Sequence, residues 1–145
     1  MLRQFLVGGG VSVVNIAIHA LVMTTVVNVA RARASKSEWH SSLLLVVVMI
    51  PTAMILMIAH ALEVIVWSEA YLIFHTAPEG ADPVYFAFVN YTTLGYGDVV
   101  PLEPWRLLGP ITAMNGVLLF GWSTAVIFEV LRRTLARSPE TSAME

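Results

Sequence analysis

Three long apolar stretches, separated by short polar segments, constrain what this chain can fold into. They run from about Phe5 to Ala30, from about Ser42 to Phe74 and from about Leu107 to Leu131. About 20 apolar residues in a helix span a bilayer, and a backbone surrounded by lipid has to satisfy its own hydrogen bonds. The sequence therefore predicts an all-α membrane protein with three transmembrane helices.

The first stretch has an alternative interpretation as a secretory signal, because Ala32-Arg33-Ala34 resembles a cleavage site. Its apolar run is longer than the core of a signal, which favours a transmembrane helix. The second stretch is about a dozen residues longer than a bilayer requires, so we expect it to tilt, to kink near Pro51 or to extend into water.

The composition is also typical of a membrane protein. Charged residues make up 12% of the sequence, about half of the roughly 25% found in soluble domains. The net charge of −2 gives no indication of a nucleic-acid partner. The chain has no cysteine, which excludes disulfides, zinc–thiolate sites and cysteine nucleophiles. The expected partners are membrane lipids and further copies of the same chain.

A shorter apolar segment lies between the second and third stretches. Asp82-Pro83 has the pattern of a helix start, with an aspartate as N-cap and a proline in the first turn. The helix expected from Pro83 to Thr92 has about ten residues, too few to cross a bilayer. We therefore predict a re-entrant half-helix, which is tolerated where it is buried in protein or lines water. Gly95 and Gly97 then end the helical pattern.

The end of this half-helix resembles the selectivity filter of potassium channels. The matching run is Thr92-Thr93-Leu94-Gly95-Tyr96-Gly97-Asp98. From about Ser42 to Arg133 the chain is similar to the potassium channel pore-domain family, with the first helix as an addition. The resemblance implies a fourfold homotetramer whose extended filter binds K⁺ through Thr93, Leu94, Gly95, Tyr96 and Gly97, supported by Thr92, Asp98 and Tyr85.

Such a filter works by replacing the water around K⁺ with backbone oxygens. By this resemblance the carbonyls of Thr93, Leu94, Gly95 and Tyr96 and the Thr93 hydroxyl are the ligands. Pointing successive carbonyls to one axis needs backbone angles that glycine adopts most readily, which explains Gly95 and Gly97. One chain supplies one side of the ring, so four chains around an axis are expected.

The third apolar stretch resembles the inner helix of bacterial two-helix potassium channels. The resemblance implies that Gly116 is a gating hinge, and close helix packing is the alternative role for this glycine. The residues expected to line the pore are Val117, Phe120, Thr124 and Phe128.

Two positions around the filter depart from the family pattern. Val89 stands where many bacterial members carry a glutamate, so their carboxylate pair with the filter aspartate is missing. Tyr85 stands where such channels often hold a tryptophan that bonds this aspartate. We predict a hydrogen bond from the Tyr85 hydroxyl to Asp98.

Several polar residues interrupt the first two apolar stretches, among them two histidines, an asparagine and a glutamate. A helix needs about 20 residues to span a bilayer. Counted inward from the outer ends, Asn15 and Glu63 are each about ten residues deep, and His19 and His60 are about fourteen residues deep. Because these helices are antiparallel, we predict a polar seam of Asn15, His19, His60 and Glu63 that docks helix one on helix two. Separate backbone or water partners are the alternative. His60 and Glu63 share a helix face, but two ligands are too few to predict a metal site.

Basic residues predict the orientation of the chain in the membrane. Most of them lie in the 31–40 loop or follow helix three: Arg31, Arg33, Lys36, Arg132, Arg133 and Arg137. We therefore expect this loop and the C-terminus in the cytoplasm, the N-terminus and the half-helix outside, and the chain in the cell (inner) membrane.

The chain is expected to have three parts: an additional transmembrane helix and cytoplasmic loop at 1–40, a pore domain at 41–133 and a short disordered cytoplasmic tail at 134–145. The expected function is passive conduction of K⁺, with no enzymatic activity and no cofactor besides the permeant ion. A weakly selective cation channel and a non-conducting accessory membrane subunit are the alternatives.

Overall fold

A computed structural model describes residues 1–36 and 41–135 of the chain. Residues 37–40 of the expected cytoplasmic loop lie outside the described residues. So do residues 136–145, which include Arg137 and nearly all of the expected tail.

The described residues form four α-helices and one short 3₁₀ turn. The helices are α1 (Leu2–Lys36), α2 (Ser41–Ile73), α3 (Pro83–Tyr91) and α4 (Leu108–Leu135), and the 3₁₀ turn is Glu103–Trp105. Three segments are long and apolar enough to cross a membrane, namely Leu2–Ala30, Leu43–Ile73 and Glu103–Leu135. The prediction of an all-α protein with three spans is therefore confirmed.

Helix α1 is longer than the sequence pattern indicated. The expected loop began at Arg31, whereas the helix continues to Lys36. Residues 31–36 contain no glycine or proline, and alanine, arginine and lysine are among the strongest helix formers. The helix therefore outruns its apolar stretch, and that part of the loop prediction is wrong. In α2, likewise, the helix continues through Pro51.

The half-helix α3 packs between α2 and α4, and α1 lies along both of these long helices. An aromatic core forms around α3 where it meets α2 and α4, and it includes Trp67, Tyr71, Phe86 and Leu108. A second, aliphatic core joins α1, α2 and α4 nearer the other end of the bundle. Large apolar side chains such as Leu21 and Met57 stay exposed, as expected of surfaces that face lipid or other copies.

The N-terminus of α1 is attached to the segment that leads into α4. The Leu107 backbone N–H donates to the Gln4 side-chain oxygen at 2.8 Å. The Arg3 guanidinium lies over the Trp105 ring, 4.7 Å from its centroid, in a cation–π contact. The N-terminus and the re-entrant segment are therefore at the same end of the bundle.

At the opposite end of α4, Glu129 pairs with arginines of its own helix. Its carboxylate accepts from the Arg132 guanidinium at 2.9 Å and also from Arg133. This arrangement is the intrahelical ion pair that residues three and four apart allow.

Candidate functional site

The half-helix α3 begins as the sequence indicated. An Asp82 carboxylate oxygen accepts from the backbone N–H groups of Val84 at 2.8 Å and Tyr85 at 3.2 Å, and Pro83 occupies the first turn. A side-chain N-cap of this kind stabilises a helix by about 1 kcal/mol. The nine-residue helix is too short to span the membrane and ends at Tyr91.

The backbone that leaves α3 turns its N–H groups back to the end of the helix. The N–H of Thr93 donates to the Asn90 carbonyl at 3.0 Å. The N–H groups of Leu94 and Gly95 both donate to the Val89 carbonyl, at 3.0 and 3.4 Å. These bonds satisfy carbonyls that the end of a helix leaves without partners, and they fix the start of the segment to α3.

Every second residue of this segment has a positive φ angle. The φ values are 61° at Thr93, 56° at Gly95 and 80° at Gly97. When successive residues alternate between left-handed and right-handed backbone conformations, their N–H groups point to one side of the chain. Their carbonyl groups then point to the other side. The two glycines adopt this conformation at no steric cost, whereas a threonine there is strained by roughly 1–3 kcal/mol. The positive φ of Thr93 was not foreseen in the sequence.

All seven residues from Thr92 to Asp98 are exposed in the single chain. The Tyr96 side chain is 68% exposed and that of Leu94 54%. Irregular backbone at membrane depth is tolerated where protein buries it or where it lines water. This segment is therefore a surface for water, ions or another copy of the chain.

The predicted hydrogen bond beside this segment is present. The Tyr85 hydroxyl donates to an Asp98 carboxylate oxygen at 2.6 Å, and the Val99 backbone N–H donates to the other oxygen at 3.0 Å. The Tyr85 hydroxyl, followed by the Val99 N–H, lowers the pKa of Asp98 below its ordinary value. The same contact raises the pKa of Tyr85.

Replacing Tyr85 by phenylalanine is expected to make this segment sensitive to milder acid. A lowered pKa in the folded state stabilises the fold above the ordinary pKa of aspartate, and this contribution is lost as the pH falls through the lowered value. Without the hydroxyl, Asp98 takes up its proton at a higher pH. The acid-induced loss of ion flux in liposomes should therefore begin at a higher pH in Tyr85→Phe than in the unchanged chain.

The variant Asp98→Asn provides the matched comparison for this bond. If the two side chains act through their contact, Tyr85→Phe should add little to Asp98→Asn. Fully additive effects in the double variant would show that the hydrogen bond does not support the segment.

Gly116 of α4 is buried against the end of α3. A Cβ atom at this position would overlap the Tyr91 carbonyl group and also meet the Tyr91 ring. The glycine thus lets the two helices approach until α4 touches the α3 backbone. This contact supports close packing as the role of Gly116, and the role of a gating hinge stays a prediction.

The residues predicted to face a pore fall into two groups. Val117, Thr124 and Phe128 are exposed on α4, and no residue of the described ranges 1–36 and 41–135 buries them. Phe120 is half-buried, and its ring lies 4.6 Å from the His60 ring and 5.3 Å from the Tyr91 ring. Phe120 therefore packs partly against its own subunit, and its place in the pore lining stays a prediction.

The four residues of the predicted polar seam are in contact. The His19 Nδ1 atom lies 2.7 Å from one Glu63 carboxylate oxygen, and the His60 Nδ1 atom lies 3.0 Å from the other. The Asn15 side-chain amide donates to the Glu63 backbone carbonyl at 3.2 Å. The seam therefore docks α1 on α2 and brings together residues that counting placed at similar depths.

Helices α3 and α4 extend this seam with three residues that were not predicted to belong to it, Tyr91, Asn115 and Ser123. The Tyr91 hydroxyl donates to the Glu63 carboxylate. Ser123 Oγ lies 2.9 Å from His60 Nε2. The Asn115 side-chain oxygen accepts from Asn15 at 3.2 Å and from the Trp67 indole at 3.0 Å. Asn115 and Ser123 are polar residues inside the third apolar stretch, a signal that could have revealed them.

Comparison with known families now defines the class of this protein. A family model described as ion channel matches residues 43–133, which is more than half of the chain. The chain belongs to this ion channel family. The matched residues comprise nearly all of α2, α3, the segment after α3 and nearly all of α4, whereas α1 precedes the match. No curated protein and no solved structure matches the chain.

Proposed function

We propose that this ion channel conducts potassium selectively, as a homotetramer, through a filter formed by residues 93–97. The observation that carries the proposal is the alternation of positive φ at Thr93, Gly95 and Gly97. Together with N–H groups bonded to α3, this alternation favours a row of carbonyl groups that faces away from the subunit's own helices. Such a row is what is needed to replace the water around a dehydrated K⁺ ion.

The position of α3 adds an electrostatic argument. The C-terminal end of a helix carries roughly half a negative charge, because its last carbonyl groups have no partner within the helix. The segment 92–98 begins at this end of α3. The helix therefore favours a cation over an anion near the start of the filter.

The exposure of the filter segment supports assembly around an axis. One chain supplies a single row of carbonyl oxygens, so a complete ring around an ion needs several copies, and the family resemblance implies four. The exposed side chains of Leu94 and Tyr96 are then covered by neighbouring subunits, and Val117, Thr124 and Phe128 of α4 line the passage.

The proposed location is the cell (inner) membrane, with the filter mouth outside and the end of α4 in the cytoplasm. Arg132 and Arg133 lie in the last turn of α4, and Asp98 and Glu103 lie at the other end. Basic residues concentrate on the cytoplasmic side of membrane proteins.

Ion flux from liposomes that contain the purified full chain tests the proposal. We expect K⁺ efflux that Ba²⁺ blocks, and a reversal potential under K⁺/Na⁺ bi-ionic conditions that strongly favours K⁺. Similar permeability for K⁺ and Na⁺ would identify a weakly selective cation channel. An intact assembly without any flux would identify a non-conducting accessory subunit.

Replacing Gly95 by alanine is expected to reduce K⁺ flux at least about tenfold. Alanine at a positive φ is destabilised by roughly 1–2 kcal/mol, and the residue escapes this strain by leaving the filter conformation. A tenfold change corresponds to about 1.4 kcal/mol. Gly80→Ala is the matched control, because Gly80 also has a positive φ, 81°, but lies in the loop before α3. Equal losses in both variants would contradict the role of Gly95 in the filter.

A further inference from the structure

Four side chains from three helices bring potential metal ligands together behind the filter. His19 from α1 and His60 and Glu63 from α2 each offer one ligand atom, and these atoms all lie within 4.8 Å of one another. The Tyr91 hydroxyl of α3 donates to Glu63 and lies 2.9 Å from His60 Nδ1. We call these four residues the buried ligand cluster.

The burial of Glu63 gives this cluster a need for positive charge. The side chains of Glu63 and His19 are fully buried, and that of His60 is 15% exposed. An ionised carboxylate in such surroundings requires a charged or metal partner. Among the ion pairs found within residues 1–36 and 41–135, those of Glu63 are with the two histidines, and none is with a lysine or arginine.

The cluster has more polar contacts than its neutral side chains have hydrogens to donate. Glu63 contacts both imidazoles through Nδ1, and both Nε2 atoms approach Ser123 Oγ, at 2.9 Å for His60 and 3.4 Å for His19. This closed ring has four contacts, and each needs one hydrogen. Two neutral imidazoles and one hydroxyl supply three when the carboxylate is ionised. The ring therefore lacks one hydrogen.

A cation on the Nδ1 side removes this deficit. Both imidazoles then bind it through Nδ1 and carry their hydrogens on Nε2, and Ser123 Oγ has two lone pairs to accept both. Outer hydrogen bonds of this kind hold metal-binding histidines in place. A single extra proton would also complete the ring, with the Tyr91 hydroxyl still donating to Glu63, and metal binding by the purified chain separates the two cases.

We propose that His19, His60, Glu63 and Tyr91 bind one divalent transition-metal ion, such as Zn²⁺, in each subunit. Two imidazole nitrogens with carboxylate and phenolate oxygens form a donor set that zinc accepts in tetrahedral geometry. Zinc bonds of about 2.0–2.2 Å place neighbouring ligand atoms about 3.3 Å apart. Binding would therefore lengthen the hydrogen-bonded contacts of 2.7–3.0 Å and shorten the wider separations, which reach up to 4.8 Å.

Charge and proton balance are consistent with such a site inside a membrane. Zn²⁺ is neutralised by one carboxylate and one phenolate, which leaves the complex without net charge. The Tyr91 hydroxyl proton is released to solvent when the ion binds, as expected for metal sites with ionisable ligands. The ion ties α1 and α2 to Tyr91, the residue directly before Thr92.

Metal binding by the full chain in detergent tests this proposal, independently of ion conduction. The protein is purified without a polyhistidine tag, stripped with a chelator and titrated with Zn²⁺, or with Co²⁺ as a spectroscopic probe. We expect one metal per chain, release of about one proton per metal and the visible absorption of tetrahedral Co²⁺.

Conservative variants separate ligands from neighbours. We expect His19→Gln, His60→Gln and Glu63→Gln to bind Zn²⁺ at least about 100-fold more weakly, and Ser123→Ala about 10–100-fold more weakly as an outer partner. His75→Asn is the control, because His75 is exposed outside the cluster, and asparagine tolerates its positive φ. It should bind as the unchanged chain does.

Three results would overturn the proposal. The first is a folded, stripped chain that takes up no Zn²⁺ and shows no Co²⁺ absorption, which would leave a proton as the group that completes the ring. The second is undiminished binding by Glu63→Gln. The third is an equal loss in His75→Asn. Circular dichroism and the elution volume of each variant show whether it is folded, and loss of binding counts as support only in a folded variant.

Discussion

Replacing Gly116 by valine is expected to abolish ion flux and to lower the thermal stability of the assembled channel. The first added carbon atom would overlap the Tyr91 carbonyl group, which is backbone and cannot rotate away as a side chain can. Inserting a side chain into a well-packed interior costs about 1–3 kcal/mol, and more where backbone has to move. The α3 end that precedes Thr92 would therefore be pushed from its place in every subunit.

Gly121→Val is the matched control on the same helix. A Cβ at Gly121 has open space around it within 4 Å, so its valine should leave the thermal midpoint almost unchanged. The pair also separates the two roles considered for Gly116. If Gly116 is needed only as a hinge, its valine variant should lose channel opening and keep its thermal stability. If Gly116 is needed for packing, the variant should lose both. Equal thermal midpoints for Gly116→Val and the unchanged chain would sink the packing interpretation.

Replacing Glu63 by leucine is expected to lower the free energy of unfolding by about 3–5 kcal/mol, as when one partner of a buried ionic contact is removed. The change takes the hydrogen-bond partner from His19, His60 and Tyr91 at once. Buried polar groups left without partners each cost about 1–3 kcal/mol. Because His19 reaches α2 through this carboxylate, we expect α1 to be the first helix to come loose.

Glu69→Leu is the control, since Glu69 is an exposed acidic residue of the same helix. Both variants are unfolded in the presence of a chelator, so that any bound metal does not contribute to the difference. Release of α1 can be followed by proteolysis or by labels on introduced cysteines, which the cysteine-free chain makes selective. A Glu63→Leu variant as stable as Glu69→Leu would show that the seam does not hold α1.

The parts of the fold that the sequence predicted well depend on local physics. Span lengths follow from apolar runs, and the start of α3 follows from the Asp82 cap and Pro83. The end of α1 was misplaced because charge was taken as the boundary, although the residues after Arg31 are good helix formers. Hydropathy indicates where a helix leaves the lipid and does not indicate where it ends.

The candidate site shows the same division. The motif revealed Gly95 and Gly97, because glycine is the residue that adopts a positive φ without strain. The positive φ of Thr93 is imposed by its N–H bond to Asn90 and by the neighbouring bonds to Val89. These bonds form the common end of a helix at a left-handed residue, but glycine or asparagine usually marks that position, and Thr93 is neither.

The seam was predictable between α1 and α2, because two antiparallel helices joined by a short connection bring equal depths together. Its continuation through Tyr91, Asn115 and Ser123 depends on which faces of α3 and α4 turn inward. The depth of a residue gives no information about how its helix is rotated about its own axis. That rotation depends on packing, such as the contacts of Gly116 and Phe120 with Tyr91.

The contacts of Asn15 and His19 with the other helices have a practical consequence for anyone who seeks a minimal pore. Cutting the chain before Ser41 to leave the two-helix part would strip the cover from Glu63 and Asn115 and turn both toward acyl chains. Such a shortened protein would expose polar side chains to lipid, which is energetically costly. The extra helix thus keeps these two polar side chains away from lipid, and a two-helix version of the chain is expected to need apolar residues at both positions.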